Sequence, residues 1–244
     1  MSDSQPQPKV AVITGASSGI GRESALALAR AGWSLVLFAR RAHLLRDTQQ
    51  ACPDPDSCLV VEGDVTSETD VARLFAAAVE RFGRVDLLFN NAGISSLPLP
   101  LEDTPLSDFT DVVNTNLVGP FLCTREAIKA FKRQSPSGGR IINNGSIAAH
   151  APRPHAAPYT ASKHALAGLS KQTALEGRAH RIAVTQIDIG NAHTSMAGPH
   201  TAGALQADGT VKPEPTFEPK YVADAVVYVA GLPLSVSVPE VVVM

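Results

Sequence analysis

A chain of 244 residues suits one large α/β domain or two small ones, and at that size folding buries most of the surface that the unfolded form exposes. Lys and Arg total 21 against 23 acidic residues, a formal charge of −2, which gives no general affinity for nucleic acid or a membrane surface and leaves a small molecule as the expected partner. The three cysteines, Cys52, Cys58 and Cys123, are an odd set without zinc-type spacing and read as reduced thiols.

Residues 1–8 are polar and rich in Pro and Gln, with no apolar centre for a signal peptide or anchor; they read as a flexible segment ahead of a single domain over 9–244. No apolar run reaches the length of a membrane span, so the expected location is cytoplasmic. The run 10–13 reads as a buried strand, followed by a loop with glycines at 15, 19 and 21 and an alanine-rich helix over 19–31. A loop feeding a helix N-terminus presents unpaired N–H groups and partial positive charge, which suits a phosphate. Gly15 can make the sharp turn, Gly19 admits a pyrophosphate, and Gly21 lets the helix pack closely. The spacing Gly-x3-Gly-x-Gly differs from both G-x-G-x-x-G and the ATPase phosphate loop.

Further strands are predicted at 34–39, 58–62, 85–89, 139–144, 182–189 and 236–243. Helices alternate with them at 41–52, 67–82 (with Ser67 as cap), 106–131, 159–180 and 220–230, the fourth interrupted at Asn114, Asn116 and Gly119-Pro120. The stretch 190–219 is too long for an ordinary connector and reads as a substrate loop. Regular alternation without a linker or repeat predicts one doubly wound parallel sheet of about seven strands with helices on both faces, a Rossmann fold with ligands at the carboxyl ends of the strands.

The chemistry-bearing residues follow those strand ends. Tyr159 and Lys163, four apart, share one helix face, so the ammonium can stabilise the phenolate form. Ser146, just beyond a strand, can bind the same carbonyl oxygen. After the second strand Ala39 fills the slot where a NAD site wants an acid, and Arg40 and Arg41 follow, with Arg22 expected nearby; this favours NADP(H) over NAD(H). Histidines 150, 155, 193 and 200 lie on loops without ligand spacing, so no metal is expected.

The chain resembles the short-chain dehydrogenases/reductases, in their single-domain branch, over essentially its whole length. Thr14-Gly15 through Gly21, Asn90-Asn91-Ala92-Gly93, the asparagine of Asn116-Leu117-Val118-Gly119, Ser146, and Tyr159-Thr-Ala-Ser-Lys163 carry the resemblance. It implies an oxidoreductase that moves hydride between nicotinamide and a carbonyl or secondary alcohol. Tyr159 would be the acid/base, Lys163 would support it and bind the nicotinamide ribose, Ser146 would bind the substrate oxygen, and Asn116 would hold a water leading to Lys163.

Cofactor contacts implied by the resemblance, together with the loop reading, fall on Gly15, Ser17, Ser18, Gly19, Ile20, Gly21, Arg40, Arg41, Asp64, Val65, Asn91, Ala92, Gly93, Tyr159, Lys163, Gly190 and Thr194. Asn90 reads as a brace between strands. Leu97, Leu99, Leu101, Ala151, Met196 and Pro199 are expected to wall an apolar pocket. A homodimer or homotetramer is implied. Ile189 stands where the family has proline before Gly190, and residues 235–244 lack its closing glycine pair. The rival reading is a dinucleotide-binding sensor or scaffold without turnover. A sugar-nucleotide epimerase or dehydratase lacks its second domain here.

Overall fold

The computed structural model describes residues 8–194 and 203–244. Apart from Pro8, the expected flexible segment lies outside the described residues, as do Met196, Pro199 and His200. The apolar runs form strands β1 (Val10–Thr14), β2 (Ser34–Ala39), β3 (Cys58–Glu62), β4 (Leu87–Asn90), β5 (Gly139–Asn144) and β6 (Ile182–Ile189). A short antiparallel pair, β7 (Ala204–Leu205) and β8 (Val211–Lys212), precedes β9 (Glu240–Val243). The main sheet has seven strands in the order β3-β2-β1-β4-β5-β6-β9, all parallel.

Two strands begin later than the hydrophobic pattern suggests. Val85 donates its N–H to Gln134 Oε1 at 3.0 Å instead of to a neighbouring strand, so β4 starts at Leu87. Pro239 has no N–H to give, and the β9 ladder begins only after it.

The helices among the described residues are α1 (Gly19–Arg30), α2 (Ala42–Gln50), α3 (Glu68–Phe82), α4 (Leu106–Val113), α5 (Gly119–Arg133), α6 (Ala157–Gly177) and α7 (Lys220–Gly231). Ser67 caps α3 as expected, its Oγ accepting the Asp70 N–H at 3.2 Å. Between α4 and α5 the interruption is a π-helical turn over Asn114–Val118, and Pro120, which has no N–H to give, follows it directly as the second residue of α5.

Side chains alternate across each strand, so one sheet yields two cores. Ile13, Leu35, Leu37, Phe89 and Ile187 meet α1, α2 and α7 on one face. Val12, Val36, Phe38, Leu88 and Ile141 meet α3 and α5 on the other. Each such side chain contributes about 1.5–3 kcal/mol of burial, and the strand ends are thereby held rigid. All three cysteines are buried free thiols, and burial, with Glu126 adding, pushes the Cys123 thiol up to about 12.

Candidate active site

Strand order reverses between β1 and β4, and the crevice at such a reversal is where open α/β sheets bind ligands. A cleft of about 660 Å³ opens there. All the sequence-predicted site residues except Gly21 and Asn116 line it. Gly21 lies behind it: a Cβ at that position would stand 2.3 Å from the Gly15 carbonyl oxygen, so only glycine lets α1 seat against the loop. Gly15 itself has φ +67°, and its N–H donates to Phe38 O at 2.8 Å, tying the turn to β2.

At this end of the cleft Arg41 donates to Ser17 Oγ at 3.1 Å and Ser18 Oγ at 3.0 Å. Arg40 reaches toward Asp64 Oδ2 at 3.9 Å with 72% of its side chain exposed. Asp64 Oδ1 is engaged by the N–H and hydroxyl of Thr66, each at 2.9 Å, which turns the chain toward α3. Arg22 departs from expectation. It pairs with Glu23 at 3.3 Å and does not line the cleft, because helix periodicity carries it past the loop.

Asn90 braces the sheet as expected, donating to Asn143 Oδ1 at 2.9 Å and Thr124 Oγ1 at 3.1 Å. Asn91 is equally engaged: its Nδ2 donates to Thr14 O at 2.9 Å, and its Oδ1 accepts from Asn144 Nδ2 at 2.9 Å. Those bonds lock the ends of β1, β4 and β5 together around Ala92 and Gly93.

The opposite end of the cleft holds the polar trio. Lys163 is buried, its Nζ donating to Asn144 O at 2.7 Å and lying 5.5 Å from the centre of the Tyr159 ring. Ser146 Oγ accepts the Ala148 N–H at 3.1 Å, which leaves its hydroxyl proton free to be donated elsewhere. The Asn116 side chain exchanges two hydrogen bonds with the Ile94 backbone, at 2.8 and 2.9 Å, and donates to Ser162 Oγ at 3.3 Å. It therefore holds the segment after β4 against the π-helical turn.

The apolar wall differs from the one expected. Leu97 lines the cleft, but Leu99, Leu101 and Ala151 do not, and Leu101 is 73% exposed. Ile94, Ile147, Pro154 and Leu205 contribute instead. The short 3-10 turns at Leu101–Asp103 and Ile147–Ala149 set which side chains turn inward, and spacing in a loop does not encode that.

Two polar groupings escaped the sequence reading. Arg153 Nη1 donates to Glu214 Oε2 at 2.6 Å, and Asn191 Nδ2 reaches the same oxygen at 2.6 Å; Gln206 donates to Glu214 Oε1 at 3.1 Å. This latch ties the hairpin stretch after residue 203 to the loop before α6. Burial pushes the Glu214 carboxyl up, but the bonds from Asn191, Gln206 and Arg153 prevail and hold it below the usual carboxylate range. The second grouping is His150, whose Nε2 lies 2.7 Å from Asp188 Oδ2 and 3.5 Å from Glu240 Oε1. Polar residues at alternate positions of the buried β6, Gln186 and Asp188, were the available signal.

A family model of short chain dehydrogenases matches residues 9–204, and the chain belongs to that family. It is 37% identical over 230 residues to an A-factor type gamma-butyrolactone 1'-reductase (1S-forming) of Streptomyces virginiae, covering 91% of this chain and 88% of that protein. Among solved structures, a variant of the actinorhodin polyketide ketoreductase with NADPH superposes with a TM-score of 0.86 at 32% identity, covering 97% of this chain and 95% of that one. The 3-ketoacyl-(acyl-carrier-protein) reductase of Brucella melitensis, complexed with NADH, also gives 0.86, at 27% identity and 97% coverage of both chains. The chain is thus an oxidoreductase of the short-chain dehydrogenase type with a Rossmann-like nucleotide fold, of the kind acting on alcohols and carbonyls. Among the described residues no helix is long and apolar enough to cross a membrane.

Proposed function

We propose that this protein is an NADP(H)-preferring oxidoreductase that interconverts a carbonyl compound and a secondary alcohol, with Tyr159 as general acid/base. The observation that carries this reading is the sharing of one cleft by the glycine loop, the Arg40–Arg41 pair and the Ser146–Tyr159–Lys163 trio.

The residues at the loop end fit a dinucleotide phosphate. The start of α1, Gly19 and Ile20, lines the cleft, where a helix N-terminus offers N–H groups to an anion; Ser17 and Ser18 border it, and the two guanidiniums add charge where an adenosine 2′-phosphate would lie. Bound there, the nicotinamide cofactor would supply or accept the hydride. Arg40 is the better partner for the 2′-phosphate because Arg41 is already committed to Ser17 and Ser18.

The Ser146 hydroxyl donates to the substrate oxygen and stabilises the charge that grows on it. Tyr159 gives its phenolic proton to that oxygen in reduction and takes it back in oxidation. Lys163, oriented by Asn144 O, keeps an ammonium beside the phenol, and Asn116 holds the segment after β4 that forms the adjoining wall. The mixed wall of Ile94, Ile147 and Leu205 suits a compact ketone with an apolar body.

Exposed Leu106, Phe109 and Phe121 on the α4–α5 surface support a homodimer or homotetramer. Titration of the purified protein with NADPH and NADH, followed by a ketone panel monitored by reduced-cofactor absorbance, tests the function. Tighter NADPH binding with turnover is the expected result. Binding without turnover across the panel would instead make the chain a dinucleotide sensor.

A further inference from the structure

A single file of buried polar side chains crosses the sheet under α6 and ends beneath Ser146. Asn90 Nδ2 donates to Asn143 Oδ1 at 2.9 Å, Asn143 Nδ2 to Ser170 Oγ at 2.8 Å, Ser170 Oγ to Gln186 Oε1 at 3.0 Å, and Gln186 Nε2 to Asp188 Oδ1 at 2.8 Å. The three amide donors of the file point the same way, toward the Asp188 carboxylate, while the single Ser170 hydroxyl proton has two acceptors, Gln186 Oε1 at 3.0 Å and Leu166 O at 2.9 Å. Asp188 is wholly buried, and a carboxylate without exposed surface is costly unless donors surround it.

Two further donors complete its shell. The Ser146 backbone N–H reaches Asp188 Oδ1 at 2.8 Å, and His150 Nε2 reaches Oδ2 at 2.7 Å from a half-exposed position. Space for this arrangement exists only because residue 145 is glycine: a Cβ there would lie 1.9 Å from Asp188 Oδ1. The file therefore engages the backbone of Ser146 directly, while the Ser146 side chain faces the cleft. None of the roles assigned above uses Asp188, Gln186 or His150.

We propose that Asp188 is the positioning residue for Ser146, fixing its backbone N–H so that the hydroxyl is aimed at the substrate oxygen, with His150 as the protonated partner that balances the Asp188 charge. This rests on the reading of Ser146 as the group that binds that oxygen. The charged groups facing His150 are Asp188 from β6, Glu240 from β9 and Lys171 from α6. Its hydrogen bond to Asp188 raises the His150 pKa above the ordinary histidine value, burial opposes, the Asp188 and Glu240 charges add, and Lys171 opposes. When His150 loses its proton, an unbalanced negative charge remains beside the oxygen on which negative charge must grow. Reduction then slows.

The test is a double-mutant cycle on the full chain, measuring kcat, KM and NADPH affinity for one reduced ketone. Asp188→Asn is expected to lower kcat on the order of 10²-fold with NADPH affinity unchanged, the size of effect that misaimed reacting groups produce. In a Ser146→Ala background the same substitution is expected to add almost nothing, because its effect runs through the missing hydroxyl. Full additivity would overturn the proposal and leave Asp188 as general support for the fold. If Ser146→Ala alone keeps full turnover, the assignment of Ser146 fails first and the positioning role falls with it.

His150→Gln provides an arm that leaves the buried carboxylate in place. The wild-type kcat is expected to drop as pH rises through the raised His150 pKa, and the variant is expected to lack that step. A step of unchanged size in His150→Gln would overturn the charge-balancing role.

Discussion

Arg41 is bound to the hydroxyls of Ser17 and Ser18, whereas its neighbour Arg40 stands largely in solvent, 3.9 Å from Asp64. The two arginines thus serve different purposes: one shapes the loop and the other is available to a ligand. Arg40→Ala is expected to weaken NADPH roughly 10- to 100-fold, the range for a lost charge-assisted hydrogen bond, with little change for NADH. Arg41→Ala is expected to weaken both cofactors, since it also releases the two serines. Fluorescence titrations of both variants check this, and equal losses of NADPH and NADH in Arg40→Ala would remove the 2′-phosphate assignment.

Tyr159→Phe keeps the ring beside Lys163 and removes only the hydroxyl that carries the transferred proton. Turnover is expected to fall about 10²- to 10⁴-fold, the usual contribution of a positioned acid/base, with NADPH affinity preserved. Stopped-flow hydride transfer with saturating cofactor measures it. A variant that retains wild-type rates would move the acid role elsewhere in the cleft.

The Glu214 latch is expected to show itself in KM and not in cofactor binding. Glu214→Ala frees Arg153, Asn191 and Gln206 together, so substrate KM is expected to rise several-fold while NADPH affinity holds. Because the folded-state pKa of Glu214 is depressed, the latch contributes fully above the ordinary glutamate value and is lost as pH falls through the depressed one. In the wild type, KM is accordingly expected to climb only on the acid side, and an acid-side profile unchanged in Glu214→Ala would contradict the latch.

Two helical glycines, Gly21 in the first turn of α1 and Gly168 in the middle of α6, have opposite expected effects. Gly21→Ala drives a Cβ into the Gly15 carbonyl oxygen and is expected to lower both melting temperature and cofactor affinity. Gly168 on α6 has nothing within 4 Å of its would-be Cβ. Gly168→Ala is expected to raise stability by about 0.4–1 kcal/mol, a gain of a few degrees in Tm. Thermal unfolding of the pair checks the sign of each.

Much of this architecture is legible without coordinates. The expected limits of β2, β3, β5 and β6 coincide with the observed strands, β2 as the continuous apolar run that coverage of both faces allows and β5 and β6 in spite of the polar residues they bury, among them Asn143, Gln186 and Asp188. The residues just beyond strand ends, from Gly15 to Ser146, converge on one cleft because parallel strands all point their carboxyl ends the same way. What sequence conceals is side-chain direction in loops and pairing over long range. Leu101 turned out to solvent and Arg22 to Glu23, and the partnership of Asp188 with His150 spans 38 positions. Asp188, two positions after Gln186 in a fully buried strand, looks like an interruption until the backbone of Ser146 is seen above it.

The strand order also imposes a timetable on synthesis. The four strands β3, β2, β1 and β4, with the glycine turn between them, are complete once Asn90 has been made. The stretch holding Ser146, Tyr159 and Lys163 comes later, and β6, which carries Asp188, gains its outer neighbour only when residues 240–243 arrive. Nascent chains emerge N-terminus first, so the half of the sheet that carries the glycine turn can assemble on the ribosome before the half beside Ser146, Tyr159 and Lys163 exists.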